Sequence, residues 1–140
     1  MKKLTILLSF LTLSLSATAA PKIVSSFSNG SKVSCVAIHR IGYDGRNVTQ
    51  HNMDVFYRID EGQKEAIAYF KQPPTIGNYY FDGLCGPEVC ELFIRDLRTN
   101  TVSNMNAAYS KLNEYSSQIQ IMNFQENLNL ILKCQLTPQK

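Results

Sequence analysis

The chain has no tryptophan, two histidines and little excess charge, and each shortage disfavours a class of function. No G-x-S-x-G motif is present, so nothing indicates the nucleophile elbow of a serine hydrolase. No glycine-rich phosphate loop is present either. The absence of tryptophan weakens the case for a sugar-stacking site, although tyrosine can serve there. We therefore expect no cofactor and no enzyme activity.

The charge of the chain excludes a second class of function. The sequence has 14 Lys and Arg against 11 Asp and Glu, but Lys2 and Lys3 lie in a segment that we expect to be removed. That leaves 12 basic residues against the same 11 acidic ones, with no basic cluster. Nucleic-acid binding needs clustered Lys and Arg, so no nucleic-acid partner is expected.

The N-terminus has the three zones of a secretory signal. Lys2 and Lys3 precede an uncharged apolar stretch from Leu4 to Leu15, and Ala17-Thr18-Ala19 supplies small residues for a signal peptidase. This apolar stretch is too short to span a bilayer, and no later one is long enough. We predict a signal peptide over residues 1–19, a single domain over 20–140, and a periplasmic or secreted location without a membrane span.

The four cysteines all follow the predicted signal. An even number of cysteines in an exported chain indicates disulfides rather than a metal or redox centre. Gly86 and Pro87 favour a turn between Cys85 and Cys90, which predicts that these two are paired. The remaining pair, Cys35 and Cys134, would join the beginning of the domain to its end.

Apolar and polar residues alternate over much of the domain, which is the pattern of half-buried strands. The clearest example is one face near the C-terminus, made of Leu128, Leu130, Leu132, Cys134 and Leu136. Turn signals separate about eight such segments. We predict a mainly β fold, a small antiparallel barrel with a β-sandwich as the alternative. Met105–Tyr115 is the one candidate for a short helix, because Met105, Ala108, Tyr109 and Leu112 have helical spacing.

One segment stands out as a candidate recognition loop. Residues 72–91 begin with two prolines, contain three glycines and end in the predicted Cys85–Cys90 bridge. Three consecutive aromatic residues on a strand cannot all face the core, so at least one of them should point outward. The alternative is that Tyr79 and Phe81 pack inward and Tyr80 lies on the surface. The candidate partner-binding residues are Asn78, Tyr79, Tyr80, Phe81 and Asp82.

Two constellations of polar residues are candidates for other chemistry. A carboxylate cluster around the tight disulfide could serve a glycosidase, although loop and strand-face charges are the simpler interpretation; its members are Asp82, Glu88, Glu91 and Asp96. His39, Asp44, His51 and Asp54 lie within a short stretch, but no ligand spacing identifies them as a metal site. We predict no metal site and no catalytic residues.

The functional hypothesis is therefore an exported binding module, such as an inhibitor or immunity-type protein, that captures another protein. Two alternatives remain open at this point. One is a carrier of a small apolar ligand inside a barrel, and the other is a cell-wall or sugar hydrolase that uses the carboxylates. The sequence identifies neither the partner nor the oligomeric state.

Overall fold

A computed structural model describes residues 19–42, 47–111 and 114–139 of the protein. The predicted signal peptide lies outside these ranges, except for Ala19. The described residues form eleven strands, which are numbered in chain order. They are β1 (Lys22–Val24), β2 (Lys32–Ile41), β3 (Asn47–Met53), β4 (Val55–Ile59), β5 (Ile67–Phe70), β6 (Thr75–Ile76), β7 (Tyr79–Cys85), β8 (Val89–Asp96), β9 (Thr101–Ala108), β10 (Ser116–Asn123) and β11 (Leu128–Thr137).

The strands form two antiparallel sheets. The larger sheet has the order β1-β4-β5-β7-β8-β9, with β6 also paired to β7. The smaller sheet has the order β10-β11-β2-β3. Every strand pair is antiparallel, as expected for strands joined by short turns.

The core lies between the inner faces of the two sheets. Alternation in β11 buries Leu128, Leu130, Leu132 and Cys134, and alternation in β7 buries Phe81 and Cys85. Tyr57 of β4 also crosses the core, where its hydroxyl oxygen accepts a 2.8 Å hydrogen bond from the Val33 N–H of β2. The period-two pattern of the sequence is therefore the pattern of contacts between the sheets.

The two disulfides are Cys35–Cys134 and Cys85–Cys90, which confirms the predicted pairing. Each joins directly opposed residues on neighbouring strands, the first within the smaller sheet and the second within the larger sheet. The two bridges also meet in the core, since the sulfur atoms of Cys35, Cys85 and Cys134 lie within 4.8 Å of one another. The disulfides thus fasten strands within each sheet and pack against each other between sheets.

Three connections pass between the sheets. Residues 25–31 join β1 to β2, and the other two connections are corners. At the first corner Met53 pairs with Cys35 in the smaller sheet and Val55 pairs with Phe70 in the larger one, so Asp54 alone separates the sheets. At the second, Ser110 and Ser116 form a single β-bridge, beyond which β9 and β10 diverge into different sheets.

This arrangement confirms the mainly β fold and corrects two finer predictions. No closed barrel is found among the described residues, and the two sheets fit the sandwich alternative because β9 and β10 separate after one bridge. The helix predicted for Met105–Tyr115 is wrong over Met105–Ala108, which belong to β9 and pair with β8; Leu112 lies outside the described residues. No helix within the described ranges has the length and apolarity needed to cross a membrane.

Candidate functional site

The predicted recognition segment forms a hairpin with a broken first strand. Gly77 and Asn78 form a two-residue turn between β6 and β7, and Gly77 has a φ of 59°, which suits glycine at the first position of a type II′ turn. Prolines at 73 and 74 lack an N–H and interrupt the strand between β5 and β6. The Phe81 N–H donates to the Pro74 carbonyl at 3.0 Å, so the chain at Pro74 stays hydrogen-bonded to β7.

Alternation along β7 sends the three consecutive aromatic residues to two faces. Tyr79 and Phe81 point into the core and are 8% and 0% exposed. Tyr80 and Asp82 point to the outer face of the larger sheet and are half-buried, while Asn78 is exposed in the turn. Of the five predicted contact residues, Asn78, Tyr80 and Asp82 therefore remain available at the surface.

Tyr79 belongs to a polar cluster at one end of the sandwich. Its hydroxyl accepts a 2.6 Å hydrogen bond from Arg98 and donates a 3.0 Å hydrogen bond to Glu126. Arg98 forms ion pairs with Glu126 at 2.7 Å and with Asp96 at 2.9 Å. Hydrogen bonds from Arg98 lower the pKa of both carboxyls, and burial raises the pKa of Tyr79. Arg98 follows β8 of the larger sheet, and Glu126 lies in the turn between β10 and β11 of the smaller sheet. Their hydrogen bonds to each other and to Tyr79 therefore link the two sheets.

Tyr80 and Asp82 form a smaller polar pair on the outer face. The Tyr80 hydroxyl donates to Asp82 at 3.1 Å, and the other Asp82 oxygen accepts the Gly83 N–H at 2.8 Å. Burial, followed by the nearby Asp82 charge, raises the pKa of Tyr80. The hydrogen bond to Asp82 anchors the Tyr80 hydroxyl on the outer face.

Other apolar side chains share this outer face with Tyr80, whose own cross-strand neighbours are Thr75 and Arg95. The strand register places Phe56 beside Tyr69, Tyr69 beside Leu84, and Phe93 beside Asp82. Phe56 and Tyr69 are stacked with ring centroids 5.6 Å apart, and the Arg58 guanidinium lies 4.4 Å above the Tyr69 ring. We call these half-buried side chains the outer apolar face: Phe56, Tyr69, Tyr80, Leu84 and Phe93.

The outer apolar face is rigid and includes a depression. Its side chains stand on β4, β5, β7 and β8, which are interior strands of the larger sheet, and the Cys85–Cys90 disulfide joins β7 to β8. A depression of about 400 Å³ lies beside Leu84 and is lined mainly by apolar groups, including Ile67 and Val89. A fixed apolar surface loses little conformational entropy when it binds another surface.

The predicted carboxylate cluster is divided, and only Asp82 and Glu91, which are diagonal neighbours on β7 and β8, share a face. Asp82 and Glu91 lie on the outer face of the larger sheet, Asp96 lies at its inner face beside Arg98, and Glu88 is exposed in the turn before β8. Arg98 lowers the pKa of Asp96, which is the opposite of what a general acid requires. A glycosidase would need two of these groups facing a single substrate bond.

The register places two members of the predicted histidine constellation, His39 and His51, diagonally on one face of β2 and β3, but no third ligand group joins them within the described ranges. His39 is half-buried on the inner side of β2, with its ring 6.0 Å from the Tyr79 ring, and burial lowers its pKa. His51 is exposed on β3, and Asp44 lies outside the described residues. Within the described ranges, Cys35, Cys85 and Cys134 form the one group of three ligand-type side chains, and all three are in disulfides.

The space between the sheets is small at the end where they diverge. A cleft of about 220 Å³ opens there over Ile94, Ile121 and Leu130. Pockets that enclose a small molecule usually measure about 300–1,000 Å³. Moreover, the barrel interior that a carrier would use is not found among the described residues.

Sequence reasoning missed most of the outer apolar face. Phe56 and Phe93 stand within runs that are apolar at every position, Val55-Phe56-Tyr57 and Leu92-Phe93-Ile94. Such runs are the available signal, because a strand with apolar residues on both faces must expose one side or cover it. Without the register, nothing in the sequence shows that these runs are neighbours.

Comparisons of the chain with protein-family models, with curated proteins and with solved structures find no match.

Proposed function

We propose that the protein is an exported binding module, of the inhibitor or immunity type, that captures another protein on its outer apolar face. The observation that carries the proposal is the set of aromatic and apolar side chains on one face of four strands. Phe56, Tyr69 and Leu84 lie opposite one another in register, and Tyr80 and Phe93 flank Asp82. Single exposed apolar residues are ordinary, whereas contiguous apolar patches mark sites of interaction.

The shape of this face favours a protein over a small ligand. It is an open sheet surface, and its depression beside Leu84 can accept an apolar side chain from a partner. Tyrosine and phenylalanine are enriched in the centres of protein interfaces, where they supply large contact area at low entropic cost. The Tyr80 hydroxyl adds a polar group at the edge of this surface.

The N-terminal sequence and the two disulfides support export of the module. The charged start, apolar stretch and small-residue site have the order of a secretory signal. Disulfides persist in oxidising compartments, and two of them fasten this fold. A rigid domain in the periplasm or outside the cell suits the capture of a protein partner.

The test compares the tagged, oxidised protein with a Tyr80→Ser/Phe93→Ser variant as bait for envelope and secreted fractions of its source. Both side chains are half-buried on the outer face, so the variant keeps the core residues Tyr79 and Phe81. We expect the wild type to retain a protein that binds the variant at least tenfold more weakly, as measured by titration calorimetry with the purified partner.

The matched control is Val48→Ser/Met122→Ser, which removes two exposed apolar side chains from the outer face of the smaller sheet. This control should retain the partner with wild-type affinity. Equal binding by the Tyr80/Phe93 variant would place the contact elsewhere. Failure of the folded wild type to retain any protein would contradict the proposal.

A further inference from the structure

β9 is an exposed edge of the larger sheet. It pairs with β8 on one side, and no strand of the described chain pairs along its other side. Six of its eight residues are exposed. A strand edge of this kind presents unpaired N–H and C=O groups that can pair with another chain.

The register identifies the backbone groups that face the open edge. The Tyr109 N–H donates to the Glu88 carbonyl at 3.2 Å and so continues the pairing in which Val89 lies opposite Ala108. Successive residues of an antiparallel strand direct their backbone groups to alternate sides. Val102, Asn104 and Asn106 therefore direct their N–H and C=O groups away from β8.

This edge lacks the features that usually prevent pairing. Its sequence, TVSNMNAA, contains no charge, proline or glycine. The opposite edge of the same sheet, β1, has three residues and carries Lys22. Exported proteins normally protect long edges with charges, prolines or bulges, so an unprotected edge of eight residues indicates a pairing partner.

We propose that two copies of this chain pair along β9, antiparallel, about a two-fold axis at Asn104. In this register Val102 lies opposite Asn106 of the second copy and Asn104 lies opposite its own counterpart. All three residues that face the edge then form hydrogen-bonded pairs, about six bonds in all. The proposed pairing ends at Asn106, before Ala107, whose carbonyl accepts a 3.0 Å hydrogen bond from Ser117 of β10, and before the bridge between Ser110 and Ser116.

The side chains of β9 are compatible with this self-pairing. Val102 is 46% exposed on the outer side and Met105 is 37% exposed on the inner side, so pairing covers apolar surface on both faces. No like charges meet, and the Asn104 amides of the two copies can bond to each other. The smaller sheet has two outermost strands, β3 and β10, which are also long and uncharged. β3 carries the ionisable His51, and β10 begins at Ser116, which is bridged to Ser110.

The dimer has a consequence for binding. A two-fold axis perpendicular to a sheet keeps equivalent faces on the same side, so the two outer apolar faces would lie side by side. If the proposed function holds, one dimer presents two equivalent sites, and linked sites raise avidity. The dimer itself does not depend on that function.

The test is sedimentation equilibrium of the oxidised protein without its signal, over about a hundredfold range of concentration. We expect the mass to approach twice that of one chain and to fall on dilution. Asn104→Pro removes an edge-facing N–H and leaves the bonds to β8 intact, since proline is tolerated on that side of an edge strand. Asn104→Lys places a charge on the same edge, and both variants should weaken the dimer at least tenfold.

Gln50→Lys supplies the matched control, because it adds the same charge to β3. It should dimerise like the wild type, and circular dichroism would verify that every variant is folded. A wild type that is monomeric throughout, or a dimer unaffected by either Asn104 variant, would overturn the proposal. So would a dimer that Gln50→Lys weakens as much as Asn104→Lys does.

Discussion

Gly83 is the position on β7 where the packing leaves no room for a side chain. A Cβ there would lie 2.6 Å from the Glu91 carbonyl oxygen and 3.0 Å from a methyl group of Leu92. The carbonyl belongs to the β8 backbone and cannot move without breaking the strand pair. We expect Gly83→Ala to lower the free energy of unfolding by about 1–3 kcal/mol, as overpacked cores do, measured by urea denaturation.

Gly86→Ala is the control for this prediction. A Cβ at Gly86 would meet its nearest atom, the Val89 carbonyl oxygen, at an ordinary 3.6 Å. Its stability should therefore stay within about 0.5 kcal/mol of wild type. Equal stability of the two variants would show that β7 and β8 can separate at no cost.

A second prediction concerns Tyr57, because its hydroxyl oxygen accepts the hydrogen bond of a buried backbone N–H. The Val33 N–H donates to this oxygen at 2.8 Å, and the Tyr57 ring packs edge-on against Phe27 at 5.0 Å. Tyr57→Phe keeps the ring and leaves the N–H without its partner, which should cost about 1–3 kcal/mol in denaturant unfolding.

Tyr69→Phe serves as the comparison. It removes a 3.0 Å hydrogen bond to Asp60 on the half-exposed outer side of the sheet, where water can replace the lost partner. We expect its cost to stay below about 1 kcal/mol. A larger loss for Tyr69→Phe than for Tyr57→Phe would contradict the assignment of Tyr57 as the link between β4 and β2.

At the scale of elements, the link between the turns after β8 and β10 should make stability depend on pH. Arg98 lowers the folded pKa of Glu126 and Asp96 below their ordinary values. A lowered folded pKa contributes stability above the unfolded pKa, near pH 4, and that stability is lost as pH falls through the folded value. In thermal melts, the melting temperature should therefore fall between about pH 6 and pH 2, and the fall should be smaller for Arg98→Gln than for the wild type.

Arg95→Gln removes the same charge from β8 without touching this cluster, since Arg95 has no ion pair among the described residues. This control should lose as much stability as the wild type does when the pH is lowered. An Arg98→Gln protein with an unchanged acid profile would show that the link does not contribute to stability.

Elements differ in how far the sequence alone predicts them. β11 was predicted because its apolar face faces the core along its whole length. The second half of β9, from Met105 to Ala108, was misread because Met105, Ala108 and Tyr109 fit a helical spacing, while the inner residue Ala107 is too small to mark a strand. Pairing with β8 determines the structure there, and a single-sequence pattern does not contain that pairing.

The candidate site shows the same division. The segment around Tyr80 was recognised from its consecutive aromatics, but the direction of each ring follows from the register of β7 with β8. Phe56 and Tyr69 join the outer apolar face through β4 and β5, which are distant from Tyr80 in sequence. Local chemistry is visible in a sequence, whereas assembly of a face from four strands is not.

At the scale of the whole molecule, two corners decide between barrel and sandwich. Asp54 alone carries the chain from β3 to β4, and that short connection is compatible with either architecture. The bridge between Ser110 and Ser116 is followed by divergence of β9 and β10, and this divergence opens the sandwich. Neither corner has a distinctive residue pattern, because the path of the chain there depends on how the core is filled.

The two disulfides should contribute unequally to the stability of the whole domain. Cys35 and Cys134 are separated by 99 positions, and Cys85 and Cys90 by 5. In the chain-entropy model the longer loop is worth about 4–5 kcal/mol and the shorter about 2 kcal/mol, since a cross-link restricts the unfolded chain more when its loop is long. Guanidinium unfolding of Cys35→Ala/Cys134→Ala and Cys85→Ala/Cys90→Ala would measure the difference.

Comparing the two double variants isolates the effect of loop length, because their other losses of stability should be nearly equal. All four cysteines are at most 4% exposed, and the two bridges pack against each other, so each double variant removes two buried sulfur atoms from the same region. The difference between them then reports mainly on the unfolded chain. If the Cys85/Cys90 variant proved the less stable, the main contribution of the disulfides would lie instead in the folded hairpin that supports Tyr80 and Phe93.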